Sequence, residues 1–207
     1  MDPVAVINGG TRGIGKEIAD TLEINGYTVH SFGRDTCDAR DLELVEEQAW
    51  KLGRVDVLVN VAGEFHSCDF VQEDPSWLSS MIMSNLITAW NWSRTVLPGM
   101  RKRHCGYILN ISSMAAKRVR AGCSSYAISK SGMNALTEAI LRENVQYGIK
   151  ATAICPGDCD THIGQGIAPG EDLIPLVDIS QTVVWLLSLS KTAIVPEVCI
   201  ERRGRYL

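Results

Sequence analysis

Between Val4 and Phe32 an apolar run, a glycine-rich loop, an amphipathic stretch and a second apolar run follow one another without a break. Val4-Ala5-Val6-Ile7-Asn8 does not alternate polar with apolar, which is the pattern of a parallel strand covered on both faces. Gly9-Gly10-Thr11-Arg12-Gly13-Ile14-Gly15 leads into Ile14, Ile18, Leu22 and Ile24 at helical spacing. Asn25-Gly26 stops that helix, and residues 27–32 read as the next strand. Glycine loops are common, but one placed between a strand and a helix has a specific use. The glycines permit a tight turn, let the backbone approach a pyrophosphate, and present it to the positive end of the helix. A dinucleotide site is therefore expected here, against the plainer alternative of a structural turn.

The remaining chain is long enough for one such domain and no more. Its 207 residues are 45% hydrophobic and 21% charged, and no repeat, linker or low-complexity segment divides them, so one domain over residues 1–207 is expected. The net charge of −4 gives no general attraction for nucleic acid. The apolar run at residues 183–189 is far shorter than the ~20 residues that span a bilayer. The first apolar run begins at Val4, which leaves no room for a signal peptide, and a cytoplasmic location is expected. The seven cysteines are scattered; only Cys155 and Cys159 are close, and no second pair at ligand spacing accompanies them. Reduced thiols and no metal are expected.

The end of the second strand selects between nicotinamide cofactors. An acidic residue there binds a ribose 2′-hydroxyl and repels a 2′-phosphate. Gly33-Arg34 stands at that place, and Arg12 lies in the glycine loop; two guanidiniums that converge on a phosphate favour NADP(H) over NAD(H). Asp35 follows at once and is the alternative ribose ligand if the strand runs further. Asp38-Ala39-Arg40-Asp41 comes only five residues after Gly33. A parallel crossover needs about a dozen residues, so a helix is missing here, and a vestigial third strand or none is expected.

Residues 42–52 read as a helix and residues 55–60 as a central strand. Residues 75–97 form a long helix bearing Trp77, Trp90 and Trp92, side chains that more often make core or subunit contacts than a ligand box. Asn85 sits inside it, although Asn competes with the backbone for hydrogen bonds and is a poor interior helix residue. Gly106 to Ile111 is a strand that opens into Ser112-Ser113, at the strand end where ligands bind. Lys117, Arg118 and Arg120 follow, read as a solvated basic face or, alternatively, as selectors of an anionic substrate or of the phosphate of a carrier. Residues 150–155, 179–189 and 196–200 are the last strand, helix and strand. The tail from Arg202 is either disordered or a subunit contact.

Tyr126 and Lys130 are four residues apart at the start of a helix, hence on one face. A phenol titrates near ~10, and an adjacent ammonium favours the phenolate and lowers that value toward use in proton transfer. Ser113, thirteen residues upstream, is placed to supply a further hydrogen bond. A half-buried Tyr beside a solvated Lys is the plainer alternative for the pair taken alone.

Together these segments resemble the short-chain dehydrogenase/reductase family over nearly the whole chain. The glycine loop has that family's Gly-x-x-x-Gly-x-Gly spacing, with Asn8 where the family usually has Thr. Asn60-Val61-Ala62-Gly63 is similar to its Asn-Asn-Ala-Gly, and Pro156-Gly157-Asp158-Cys159-Asp160-Thr161 to its Pro-Gly-x-Val-x-Thr. The resemblance implies a single Rossmann-type, doubly wound parallel sheet of about six or seven strands with helices on both faces. It implies a catalytic set of Asn85, Ser113, Tyr126 and Lys130, with Asn85 holding a water that links to Lys130. It implies cofactor contacts from Gly9, Thr11, Arg12, Gly13, Ile14, Gly15, Arg34, Asp38 (to the adenine), Asn60, Ala62, Gly63, Tyr126, Lys130, Pro156, Gly157 and Thr161. The activity implied is hydride transfer between NADP(H) and a small carbonyl or alcohol substrate. Alternatives are a compact pteridine-type reductase, suggested by the missing helix, and a nucleotide sensor without turnover. Substrate contacts are expected from residues 64–74, 114–123 and 162–174, with residues 162–175 as a short lid. A homodimer or homotetramer is expected through the helices at 75–97 and 124–147, with no membrane or nucleic-acid partner.

Overall fold

The apolar runs that lack alternation become the middle of the sheet. In the computed structural model, which describes residues 2–161 and 172–206, β3 (Val57–Asn60) and β4 (Gly106–Ile111) are buried at every position. With β1 (Val4–Asn8), β2 (Thr28–Phe32), β5 (Ile149–Pro156) and β6 (Glu197–Ile200) they form one sheet in the order β2-β1-β3-β4-β5-β6. Every pairing is parallel. The order reverses direction at β1 and β3, so the crevice beyond their C-terminal ends is the place for a ligand.

Successive strand residues feed two cores. Val6, Leu58 and Ile108 pack with Val45 of α2 (Leu42–Leu52), Trp92, Val96 and Met100 of α4 (Thr88–Arg103), and Met133 of α5 (Ser124–Asn144). Ala5, Ile7, Val59 and Leu109 pack on the other side with Ile18 and Leu22 of α1 (Gly13–Ile24) and Ile179, Val183 and Leu186 of α6 (Leu176–Ser188). The sheet is therefore doubly wound, as the sequence leads one to expect, and has six strands.

The sixth-strand limit comes from the deletion. Residues 33–41 form only turns and loop, so β2 is an edge strand and the chain passes directly to α2. Asp41 caps α2, accepting from the backbone N–H groups of Glu43 and Leu44 at 2.9 and 3.4 Å. Cys37 and Ala39 are buried against the core, and Asn91 of α4 donates to the carbonyl of Ala39 at 3.0 Å. A buried plug with a side-chain anchor occupies the place of the missing layer.

The long helix departs from its expected bounds in two ways. It begins at α3 (Pro75–Ile82), capped by Asp74, and passes through a π-helical turn at Met83–Ile87 before continuing as α4 to Arg103. Pro98 does not end it at Leu97, because Val96 and Met100 carry the buried stripe past the proline. His104, with φ 51°, closes it. Trp92 is core and packs on Phe32 with ring centroids 5.0 Å apart, whereas Trp90 is 51% exposed.

Candidate active site

The first layer beneath the crevice is a row of asparagines. Asn8 and Asn60 end β1 and β3, and Asn110, one residue before the end of β4, lies in register beside them; all three are buried. Asn8 Nδ2 donates to Asn60 Oδ1 (3.2 Å), Asn60 Nδ2 to Asn110 Oδ1 (2.8 Å), and Asn110 Nδ2 to Thr137 Oγ1 on α5 (2.8 Å). The Asn at position 8 thus completes a side-chain ladder across three strands. Asn110 has no motif to mark it. Its signal is an Asn that recurs at, or one residue before, the end of three apolar runs. The backbone N–H groups of Val61 and Ala62 donate to the Asn8 carbonyl at 2.8 and 2.9 Å, which seats the segment after β3 against the glycine loop.

The second layer is the π-helical turn. A π-bulge inserts a residue and frees backbone and side-chain groups, and it is often found at functional sites. Here it carries Asn85, which is fully buried. Asn85 Oδ1 accepts from the Glu64 N–H (2.7 Å), and its Nδ2 donates to the Glu64 carbonyl (3.0 Å) and to Ser129 Oγ (2.9 Å). Gly63 lies between Asn85 and Lys130. A Cβ there would stand 2.9 Å from Asn85 Oδ1 and 3.7 Å from Lys130 Nζ, so a side chain at this position would crowd Asn85.

Ser113, Tyr126 and Lys130 converge above these layers. Ser113 follows β4 and accepts from the Ala115 N–H (3.1 Å), which fixes its rotamer. Its hydroxyl lies close enough to the Tyr126 phenol to favour the phenolate. Tyr126 is half-buried on the first turn of α5, and the ring of Phe65 meets it edge-on at 4.9 Å. Lys130, one turn later, is 4% exposed; its ammonium donates to the Ile111 carbonyl (2.8 Å) and lies 5.8 Å from the Tyr126 ring centre. The residues meet as expected, but their electrostatics differ from the expectation. Burial pushes the Tyr126 phenol up to about 12, the Ser113 hydroxyl opposes this, and the neighbouring Asp158 adds to it. Burial also brings the Lys130 ammonium down to about 8. Desolvation outweighs the ammonium's pull on the phenol because Lys130 spends its short contact on a carbonyl, not on the phenol oxygen.

The cleft beside this set tests whether a dinucleotide fits. Gly9 has φ 90°, and a Cβ there would lie 2.5 Å from Ala62 N; one on Gly15 would lie 2.0 Å from the Gly9 carbonyl oxygen. Gly13, with φ 52°, faces the cleft instead, where a Cβ would meet nothing nearer than Thr161 Cγ2 at 3.9 Å. Two glycines therefore close the loop and a third leaves space over the N-terminus of α1, which has no side-chain cap and no acidic residue in its first turn. That cradle fits a pyrophosphate. Thr161 is brought opposite Gly13, and Pro156-Gly157 lie at the end of β5.

At the adenosine end the charges are partly engaged. Arg34 is exposed, with its guanidinium 4.0 Å from the Glu64 carboxylate, which also bonds Ser80. Glu64 was not among the expected cofactor residues; its place, directly after Gly63, was the available signal. Asp38 is clasped by the Arg40 guanidinium, which holds its carboxyl at about 2. The adenine contact expected of Asp38 therefore meets a carboxylate already bound to Arg40, because the deletion leaves the two within one tight turn.

On the substrate side, a cleft that includes Ser113 is lined by Arg118, Arg120, Gly157, Asp158, Arg202 and Arg205 among others. The tail is therefore ordered over the site: the Gly157 N–H donates to the Ile200 carbonyl at 2.7 Å, and Arg202 reaches Asp158 at 3.3 Å. Neither of the tail's two expected roles included this one. Residues 162–171 of the expected lid lie outside the described residues; Ile174 is bridged to Cys159. Cys155 finds its sulfur neighbour in Cys199, its partner in the β5–β6 register, and not in Cys159, which lies beyond the strand and is buried. Glu197 completes a group of three with them, but Lys117 and Asn134 already bond its carboxylate. No helix among the described residues is long and apolar enough to cross a membrane.

A family model described as short chain dehydrogenase matches residues 32–172. An acetoacetyl-CoA reductase of Shinella zoogloeoides is 32% identical over 205 residues, covering 87% of this chain and 85% of its own. A 3-oxoacyl-(acyl-carrier-protein) reductase of Salmonella typhimurium is 25% identical, covering 99% of this chain and 97% of its own. Among solved structures, one described as ElxO with NADP bound superposes with a TM-score of 0.89 at 25% identity, covering 97% of this chain and 98% of that one.

Proposed function

The chain belongs to the short-chain dehydrogenase family, and on that premise we propose that it is an NADP(H)-dependent oxidoreductase acting on a carbonyl or alcohol substrate. The observation that carries this reading is the meeting of Ser113, Tyr126 and Lys130 at the end of β4, beside a glycine cradle that fits a pyrophosphate. Gly9, Gly13 and Gly15 would hold the pyrophosphate, Asn60, Ala62 and Gly63 the adenosine side, and Thr161 the carboxamide. Arg12 and Arg34 would take a 2′-phosphate, Arg34 then exchanging its distant Glu64 contact for a closer one. The related structure with NADP bound supports the same choice.

When bound, NADP(H) would supply the hydride chemistry, giving a hydride to the carbonyl carbon or taking one from an alcohol. Tyr126 gives the carbonyl oxygen its proton, and its raised pKa keeps that proton in place at neutral pH. Ser113 donates to the same oxygen and stabilises the charge that develops there. Lys130, buried and bonded to the Ile111 carbonyl, would hold the nicotinamide ribose, and Asn85 would support a proton relay to solvent. Phe65 walls the pocket and keeps water from the reacting oxygen.

The test is NADPH consumption against a carbonyl panel, with NADH alongside. Turnover with NADPH preferred is expected, and Tyr126→Phe is expected to lose at least about a hundredfold in kcat while binding NADPH normally. Unchanged turnover in that variant would sink the assignment. Tight NADPH binding with no turnover on any carbonyl would point to a sensor instead.

A further inference from the structure

The cleft that contains Ser113 is basic in a chain whose net charge is −4. Its lining includes four arginines, Arg118, Arg120, Arg202 and Arg205, against two carboxylates, Asp158 and Glu201. Both carboxylates have work to do. Asp158 is held from two sides, by Arg120 at 2.9 Å and by Arg202 at 3.3 Å. Glu201 accepts from the Arg202 N–H at 3.2 Å and leans over Gly157, where a Cβ would stand 2.5 Å from its carboxylate oxygen. These contacts bind the tail to the loop after β5 and place Arg205 on the cleft. Arg118 and Arg205 are exposed, and among the described residues neither has a salt-bridge partner. The two come from distant parts of the chain, one from the loop after Ser113 and one from the tail, yet line one cleft.

We propose that Arg118 and Arg205 form an anion subsite, so that the natural substrate is a carbonyl compound bearing a carboxylate or phosphate group. The proposal rests on the oxidoreductase reading and adds the substrate's charge to it. Guanidinium forks match planar carboxylate and phosphate oxygens, and a positive cleft beside the reacting group raises the local concentration of such a substrate. Arg120 and Arg202 have a different part: by pairing with Asp158 they offset its carboxylate's repulsion of the anion.

Three forms of one β-keto compound separate the outcomes: acetoacetate (a carboxylate), its neutral ethyl ester, and its coenzyme A thioester (phosphates). They are assayed with the wild-type enzyme and with Arg118→Gln/Arg205→Gln. The expected result is a KM at least tenfold higher in the double variant for one anionic form or both, an unchanged kcat, and an unchanged KM for the ester. A rise for acetoacetate alone assigns the subsite to a carboxylate; a rise for the thioester alone assigns it to a phosphate. Equal KM values for wild type and variant with both anions would overturn the proposal. If wild-type enzyme reduces none of the three, the oxidoreductase reading has failed for them, and calorimetric titration of acetoacetate and the thioester still decides the subsite. Binding at least tenfold weaker in the variant supports it, and equal binding or none overturns it. Both side chains are exposed, so the variant is expected to fold; should its circular dichroism differ from wild type, Arg118→Gln alone, with about a threefold effect expected, replaces it.

Discussion

Lys130 shows how a residue identified by its spacing acquires properties that spacing does not carry. The four-residue interval from Tyr126 placed it at the site, but its hydrogen bond to Ile111 and its burial depend on β4 and α5 meeting. Burial brings its pKa down from the ordinary 10.5 to about 8, so the unfolded chain binds this proton more tightly than the folded one. Below about pH 8 both states are protonated and the full burial penalty is present, at most about 3 kcal/mol. Between pH 8 and 10.5 the unfolded state holds more protons, so this group's contribution to stability rises with pH. Lys130→Met removes the penalty. Urea unfolding is expected to show the variant's advantage over wild type at pH 7 shrinking by pH 9.5, and a constant difference would show that the amine is not desolvated. Arg34 offers a second test at this scale. Arg34→Ala is expected to raise KM for NADPH about tenfold or more and leave NADH little changed, as steady-state kinetics with each cofactor would read; equal effects on both would show that Arg34 does not reach a 2′-phosphate.

At the scale of elements, the row of asparagines links sheet and helix. Each Asn lies at a strand end or one residue before it and gives its amide to the next, until Thr137 takes the last bond into α5, the helix that bears Tyr126 and Lys130. Asn110→Leu leaves Asn60 without its 2.8 Å acceptor and a buried hydroxyl without its donor. The expected cost is roughly 2–4 kcal/mol in denaturant unfolding. A loss well under 1 kcal/mol would mean that the ladder is not coupled. The strands and helices themselves were legible in the sequence because each is a local apolar pattern: Val57–Asn60 and Leu42–Leu52 are examples. Asn85 was legible as an anomaly, an Asn where a helix does not favour one. The π-helical turn that resolves the anomaly was not, since it depends on Glu64 returning to bond Asn85 from another element. The run through Pro98 was hidden for a similar reason: burial of Met100 outweighs a local helix-stopping signal.

For the whole molecule, what the sequence concealed is what lies far apart along it. The order of the motifs announced a doubly wound sheet, and the nine residues at 33–41 announced a shortened one. Nothing local announced that Arg202 would reach Asp158, because the tail's path follows from β6 lying beside β5. The same long-range logic bears on assembly. Leu78, Met83 and Trp90 along α3–α4 and Ile128 on α5 are apolar side chains at least 39% exposed. A helix face that turns large apolar groups to water is destabilising unless another surface covers it, and a stable interface needs about 800 Å² from each partner. These two helical segments supply the expected face for a dimer or tetramer built from copies of this chain. Light scattering at micromolar concentration is expected to give a mass two or four times that of one chain. Trp90→Glu/Ile128→Glu, which places a charge on each segment, is expected to lower that mass while leaving the fold intact by circular dichroism. A single-chain mass for the wild-type protein would refute the interface. An unchanged oligomer in the double variant would move it to another face.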